Sequence, residues 1–238
     1  MGEDKKRKAL RRYFKPPRLT TFFILLVLGV VGALVWLVFA LIRVSRSPDD
    51  QEVDRWFKED EERITGQSFD KLELDKDHED HKIRDPIFLG GPILWETNGV
   101  DNKDLLFRKG RDKVVRFAVN RVIVLHFTKI AIAAYEGDFN SLKNVMLNER
   151  TDEYHFQDIV SVSTQESSSS YTLPNGNSLV HSQSFRISVP SGESIECVIG
   201  SEKLSKITGG TIPTTKAENA IKAIRLMLRE RKAMKNST

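Results

Sequence analysis

Residues 114–139 read VVRFAVNRVIVLHFTKIAIAAYEGDF, a stretch whose composition is that of strands. Val114 to Thr128 and Ile130 to Phe139 are dense in β-branched and aromatic residues, the composition of buried strands, and Thr128-Lys129 between them has the form of a hairpin connection. Two antiparallel strands are predicted. Glu153 to Thr164 is a further extended run in which the alternation of Tyr154 and Phe156 shifts to Ile159 or Val160 and Val162, which places a bend or bulge at Gln157-Asp158. A last pair is predicted from Phe185, Ile187 and Val189, the turn Pro190-Ser191-Gly192-Glu193, and then Ile195, Cys197 and Ile199. Between these runs Glu166-Ser167-Ser168-Ser169-Ser170 reads as a polar loop and Pro174-Asn175-Gly176-Asn177 as a turn.

The strands are followed by one helix. Thr215 and Glu218 have the S/T-x-x-E spacing of a capping box, and Ala217, Ala220, Ile221, Ile224 and Leu228 make one apolar face. The expected fold class is therefore α+β, an antiparallel β-rich domain over residues 101–238 closed by a C-terminal amphipathic helix. This succession resembles the pleckstrin-homology-like fold in its bacterial membrane-attached versions. The resemblance is carried by Tyr154-His155-Phe156-Gln157-Asp158-Ile159-Val160-Ser161-Val162 and by Thr214-Thr215-Lys216-Ala217-Glu218, and it covers roughly residues 104 to 234. It implies an interaction module acting in assembly. Headgroup recognition is not carried over, because the connection Thr128-Lys129 offers a single cation. Members of this fold are often cytosolic, so the resemblance also implies a cytoplasmic placement as the alternative to the one read next.

At the other end, Leu19 to Ile42 (LTTFFILLVLGVVGALVWLVFALI) carries no charge and is long enough for a transmembrane helix. Before it lies a basic arm, residues 1–18, with Lys5, Lys6, Arg7, Lys8, Arg11 and Arg12 as candidates for the membrane surface. After it come Arg43 and Arg46 and then Asp49, Asp50, Glu52 and Asp54. The bias of positive charge predicts a single-pass protein with a cytoplasmic N-terminus and an extracytoplasmic domain. Within the span, Gly29, Gly32 and Ala33 have the spacing of a helix-packing seam. Partners expected from this region are the lipid bilayer and a second copy or another protein. The formal charge of +4 is a sum of basic ends and an acidic middle, so nucleic acid is not the expected partner.

Residues 43–84 read as an acidic connector with a short helix starting at Ser47-Pro48-Asp49-Asp50, carrying Val53, Trp56, Phe57 and Ile64 on one side and ending at Gly66. The cluster Asp75-Lys76-Asp77-His78-Glu79-Asp80-His81 lacks the spacing of a zinc or calcium loop and reads as a solvated linker. Residues 85–100 read as an extended apolar arm, docked on the domain or on a neighbour, with Phe88, Leu89, Leu94 and Trp95 as its contact residues. Cys197 is the single cysteine, so no intrachain disulfide forms, and its alternating apolar setting is structural.

No G-x-S-x-G, H-E-x-x-H, phosphate loop or dinucleotide fingerprint is present, and His126, His155 and His181 have no companion set. No metal or cofactor is expected. The function expected from these residues is non-enzymatic: a membrane-tethered interaction or scaffold module that assembles with itself or a partner protein, the alternative being a lipid or small-ligand sensor coupled to the membrane helix.

Overall fold

The computed structural model describes residues 2–15, 29–45, 47–75, 84–167, 171–172, 178–179, 182–188, 194–200, 202–213 and 215–235. Among the described residues three helices come first, α1 (Glu3–Phe14), α2 (Val30–Ser45) and α3 (Asp50–Lys71). They are followed by β1 (Ile87–Pro92), β2 (Phe107–Lys109), β3 (Val115–Phe117), β4 (Val119–Phe127), β5 (Ala131–Asn140) and β6 (Val145–His155). Then come β7 (Ser161–Ser167), β8 (Tyr171–Thr172), β9 (Ser178–Leu179), β10 (Ser182–Ser188), β11 (Ser194–Gly200), α4 (Glu202–Thr208) and α5 (Thr215–Lys235). The fold is α+β with antiparallel sheets. The larger sheets run β1-β4-β5-β6 and β11-β10-β7, and β2-β3 and β8-β9 are small hairpins.

The hairpin at the centre is β4 on β5, in unbroken register from Val119↔Asn140 to Phe127↔Ile132. Thr128 ties off its end by accepting hydrogen bonds at Oγ1 from the amides of Ile130 and Ala131 (3.3 and 3.0 Å). Strand β4 is apolar on both sides because both are covered. Ile123, Leu125 and Phe127 face the second sheet and α5, whereas Val122 and Val124 meet Ile64 of α3 with Tyr135 and Phe139 of β5. A run of Val, Ile and Leu is what a strand buried on both faces needs. Register between β5 and β6 slips at Gly137, where a Cβ would meet the Met146 side chain at 2.9 Å; glycine is what lets β6 close over that bulge.

The core between the sheets joins Leu89, Ile123, Leu125, Phe127, Ile132 and Tyr154 to Ile187 and Ile195, and α5 lays Ile221, Ile224, Met227 and Leu228 on it. The predicted bend between Tyr154 and Val162 is the turn at residues 156–158, which sends the chain from one sheet to the other. Residues 174–177 and 190–193, read above as turns, lie outside the described residues, as do Val189, residues 76–83 of the charged linker and His181.

Three expectations are revised. Helix α3 starts two residues later than predicted, with Asp49 in place of Ser47 as N-cap accepting from the Glu52 amide (2.7 Å), and passes through Gly66 to Lys71. Burial of Ser68 and Phe69 outweighs the ~1 kcal/mol that glycine costs a helix. Residues 87–92 are extended and docked on the domain, the first of the two positions expected, but as part of its sheet: they form β1, paired with β4 from Ile87↔Leu125 to Pro92↔Asn120, with Leu89 and Leu94 buried in this chain.

The third revision removes the transmembrane helix, and with it the single-pass placement of N-terminus and domain on opposite sides. Among the described residues no helix is long and apolar enough to cross a membrane. The apolar run is broken at Gly29, which stands outside α2 with φ 110°, a conformation glycine adopts at little cost. Helix α2 has 16 residues and extends about 24 Å, short of the roughly 30 Å hydrocarbon core. Its flanks also meet, since Tyr13 of α1 donates from Oη to Oδ1 of Asp50 at the start of α3 (2.8 Å). A single crossing would hold those two residues a bilayer apart. Leu34, Val35, Leu37, Val38, Phe39, Leu41 and Ile42 of α2 are each 45% to 64% exposed.

Because Ile224 is fully buried in the core under α5, Ile224→Asp places an unpaired carboxylate there and is expected to cost on the order of 3–5 kcal/mol. Arg225→Asp, exposed on the next position, should cost under about 1 kcal/mol. Urea denaturation of the two variants checks the difference; equal midpoints would show that α5 does not seal the core.

Candidate interaction surface

Helix α1 carries the basic residues assigned above to a free arm, yet it is packed on α3. Its spacing explains why: Lys6, Arg7, Leu10, Tyr13 and Phe14 share one buried face, and Leu10, Tyr13 and Phe14 meet Val53 and Trp56 of α3 with Ala118 and Leu142. At the centre, Arg7 forks onto the Asp60 carboxylate, Nη1 to Oδ2 at 2.8 Å and Nη2 to Oδ1 at 2.9 Å. Its remaining protons go to the Ser141 carbonyl (3.1 Å), Asn144 Oδ1 (2.6 Å) and Glu3 (2.6 Å). Lys6 Nζ adds bonds to Glu59 (3.0 Å), Asp60 (3.4 Å) and the Trp56 carbonyl (3.3 Å).

Burial works against the charge on Asp60, and the hydrogen bonds and charge of Arg7, with Lys6 and Arg63, more than offset it, so its pKa lies below the usual carboxylate range. Burial likewise works against Arg7, and Asp60 and Glu3 hold its pKa above the ordinary value. Both partners are almost fully buried, a setting in which a bidentate pair is strong and a lone member costly.

A second charged knot binds the β2–β3 hairpin to the same helices. Arg116 forks onto Asp54 of α3 (2.7 Å to each oxygen) and also donates to Asp112 (2.7 Å). Asp50 accepts from the Arg111 amide (2.7 Å) as well as from Tyr13, and Arg108 donates to the Tyr13 carbonyl (2.7 Å) while its guanidinium lies 4.2 Å from the Tyr13 ring centre. Burial and the bond to Asp50 push the Tyr13 phenol above its ordinary pKa.

Between α3 and the outer face of the four-stranded sheet runs a half-open groove of about 330 Å³. Phe57, Glu61 and Ile64 form its α3 wall, Phe88, Gly90 and Val122 its floor, and Val115, Phe117 and Ile212 its far side. Asp60 and Ser141, which hold Arg7, line its inner end, so the docking of α1 and the shape of the groove share residues.

Of the residues singled out from sequence, Lys6 and Arg7 are turned inward, whereas Lys5, Lys8 and Arg11 are exposed and Arg12 is half-buried. Gly32 and Ala33 lie in α2 and Gly29 does not, so the four-residue helical spacing between Gly29 and Ala33 is absent. Phe88 lines the groove, Leu89 belongs to the core, and Leu94 with Trp95 packs on Val115, Phe117 and Leu204. Asp60 and Arg116 were missed. A signal for Asp60 was present: it continues the stripe Val53, Trp56, Ile64, and a carboxylate on a buried stripe requires a cation.

His126 is buried beside Ser68, with Nε2 2.7 Å from Oγ. The hydroxyl gives its one proton to the Thr65 carbonyl (2.8 Å), so the ring nitrogen is the donor and the serine is not set up as a nucleophile. Among the described residues no group of three or more His, Cys, Asp or Glu is arranged to hold a metal ion.

Arg7→Ala leaves Asp60 buried without its main partner and should destabilise the protein by about 3–5 kcal/mol, while Arg7→Ala with Asp60→Leu should recover much of that loss. Denaturation of the single and double variants checks it. Burial pushes the His126 pKa down to about 4. The unfolded chain takes up that proton near pH ~6.5, so this contribution is complete above that pH and is lost as pH falls toward about 4, by on the order of 3 kcal/mol. His126→Gln should flatten the difference between melts at neutral and mildly acidic pH; an unchanged slope would assign the acid sensitivity to other groups.

No protein-family model, no curated protein and no solved structure matches this chain.

Proposed function

We propose that this chain is a non-enzymatic interaction module that binds a partner protein through the groove between α3 and the four-stranded sheet. The observation that carries this reading is the composition of that groove. Its walls are aromatic and aliphatic, and of the carboxylates that line it Asp54 is held by Arg116 and Asp60 by Arg7 and Lys6. Such a trough takes a large apolar side chain. The way α1 sits next to it illustrates the chemistry, a basic helix whose apolar residues are buried beside its cations. The fold resemblance points the same way, toward assembly and not catalysis, as an analogy only.

Gly90 offers a direct test. It lies on the groove floor, and a Cβ there would meet only Phe88 Cε1, at an ordinary 3.5 Å, so Gly90→Leu adds a side chain to the groove without a clash at its Cβ. A random peptide library panned on the full chain should enrich sequences with large apolar residues. Those peptides should bind Gly90→Leu at least about tenfold more weakly. Equal binding to the variant, or no enrichment, overturns the reading.

A further inference from the structure

We infer that Asn98-Gly99 is a self-modifying site, at which the folded chain loses the Asn98 side-chain amide as ammonia and reroutes its backbone through that side chain. The two residues form the exposed tip of a turn between β1 and β2, closed by the Val100 amide on the Thr97 carbonyl (3.3 Å). Gly99 stands there with φ 77°, a value glycine adopts at little cost, and a Cβ on it would meet nothing within 4 Å. Access to its nitrogen is therefore open. Among the described residues neither the Asn98 side chain nor the Gly99 amide makes a hydrogen bond, so both reacting groups are free. The side chains of Asn102, Asn120, Asn140, Asn144 and Asn148 are by contrast all engaged.

The reaction needs the chain and water alone. The Gly99 nitrogen gives its proton to water and attacks Asn98 Cγ; the new N–Cγ bond closes a succinimide ring, and the side-chain nitrogen leaves as ammonia. Nucleophile and carbonyl on adjacent residues supply the proximity such an attack requires. One water then opens the ring. Breaking the bond to the main-chain carbonyl gives isoaspartate, and breaking the bond to Cγ gives aspartate. A single contact opposes the sequence: Asn148 Nδ2 donates to the Asn98 carbonyl (2.9 Å) and to Asp138 (2.6 Å), and so holds the peptide plane that must turn as Cγ approaches the nitrogen. One exposed hydrogen bond of this kind slows the reaction by no more than about tenfold. Asn148 is a brake on the site and not a block.

The full chain is kept at neutral pH, folded and in parallel unfolded in guanidinium chloride, and its tryptic peptide of residues 85–103 is followed by mass spectrometry, with isoaspartate identified by electron-transfer fragmentation. Asn98 should convert in the folded chain at a rate within about tenfold of the unfolded one, with isoaspartate among the products. Asn102, followed by Lys103 in the same peptide, should stay intact. Asn148→Gly suits the φ of 51° at that position and removes the brake, so it should bring the folded rate up to the unfolded rate and leave the latter unchanged. Stronger protection of Asn98 by the fold overturns the inference. So does a folded rate that Asn148→Gly leaves the same or lowers, or conversion of Asn102 as fast as Asn98.

Discussion

The carboxylate of Asp60 lies on the buried stripe of α3, and a charge in that position is tolerated only with a cation at bonding distance. Arg7 supplies it through two parallel hydrogen bonds, and Lys6 adds a third contact. That requirement recruits α1. Once Arg7 is seated, Leu10, Tyr13 and Phe14 fall against Val53, Trp56 and Leu142, and Tyr13 reaches Asp50. The same pair therefore sets where the chain departs toward α2 and where it returns.

From α3 the constraint passes to the sheet. Ile64 covers Val122, Val124, Tyr135 and Phe139, which gives β4 and β5 a second buried face in addition to the core they share with α5. The groove exists because α3 lies along this face without filling it, leaving Phe57 and Ile64 across from Phe88, Gly90 and Val122. Arg116 holds α3 from the hairpin side through Asp54, so the wall of the groove is fixed at two places by buried guanidiniums.

The strands were legible because their information is local. Runs of β-branched and aromatic residues, the alternation of Phe185, Ile187, Ile195 and Cys197, a Thr-Lys connection and the shift at Gln157-Asp158 each act within a few residues, and β4, β5, β7, β10 and β11 follow from them. Much of the helix α5 was legible too, since Ile221, Ile224 and Leu228 declare one face wherever it docks. Most of β6, from Val145 to Asp152, was not read as a strand, because none of these residues is buried at the sheet's edge, where no buried face leaves a pattern.

By itself the sequence determined the α+β class, the antiparallel pairing of neighbours and the absence of a disulfide framework. Only the tertiary structure decided what the charged and apolar N-terminal pieces do. A run of uncharged residues is the same string whether it forms one long helix or is broken at Gly29, and the difference rests on a backbone angle and on whether Tyr13 and Asp50 are brought together. Likewise a row of lysines and arginines reads as a free arm until one of them finds a buried carboxylate 53 residues away. Such pairings are set by the packing of distant elements, which composition and periodicity do not encode.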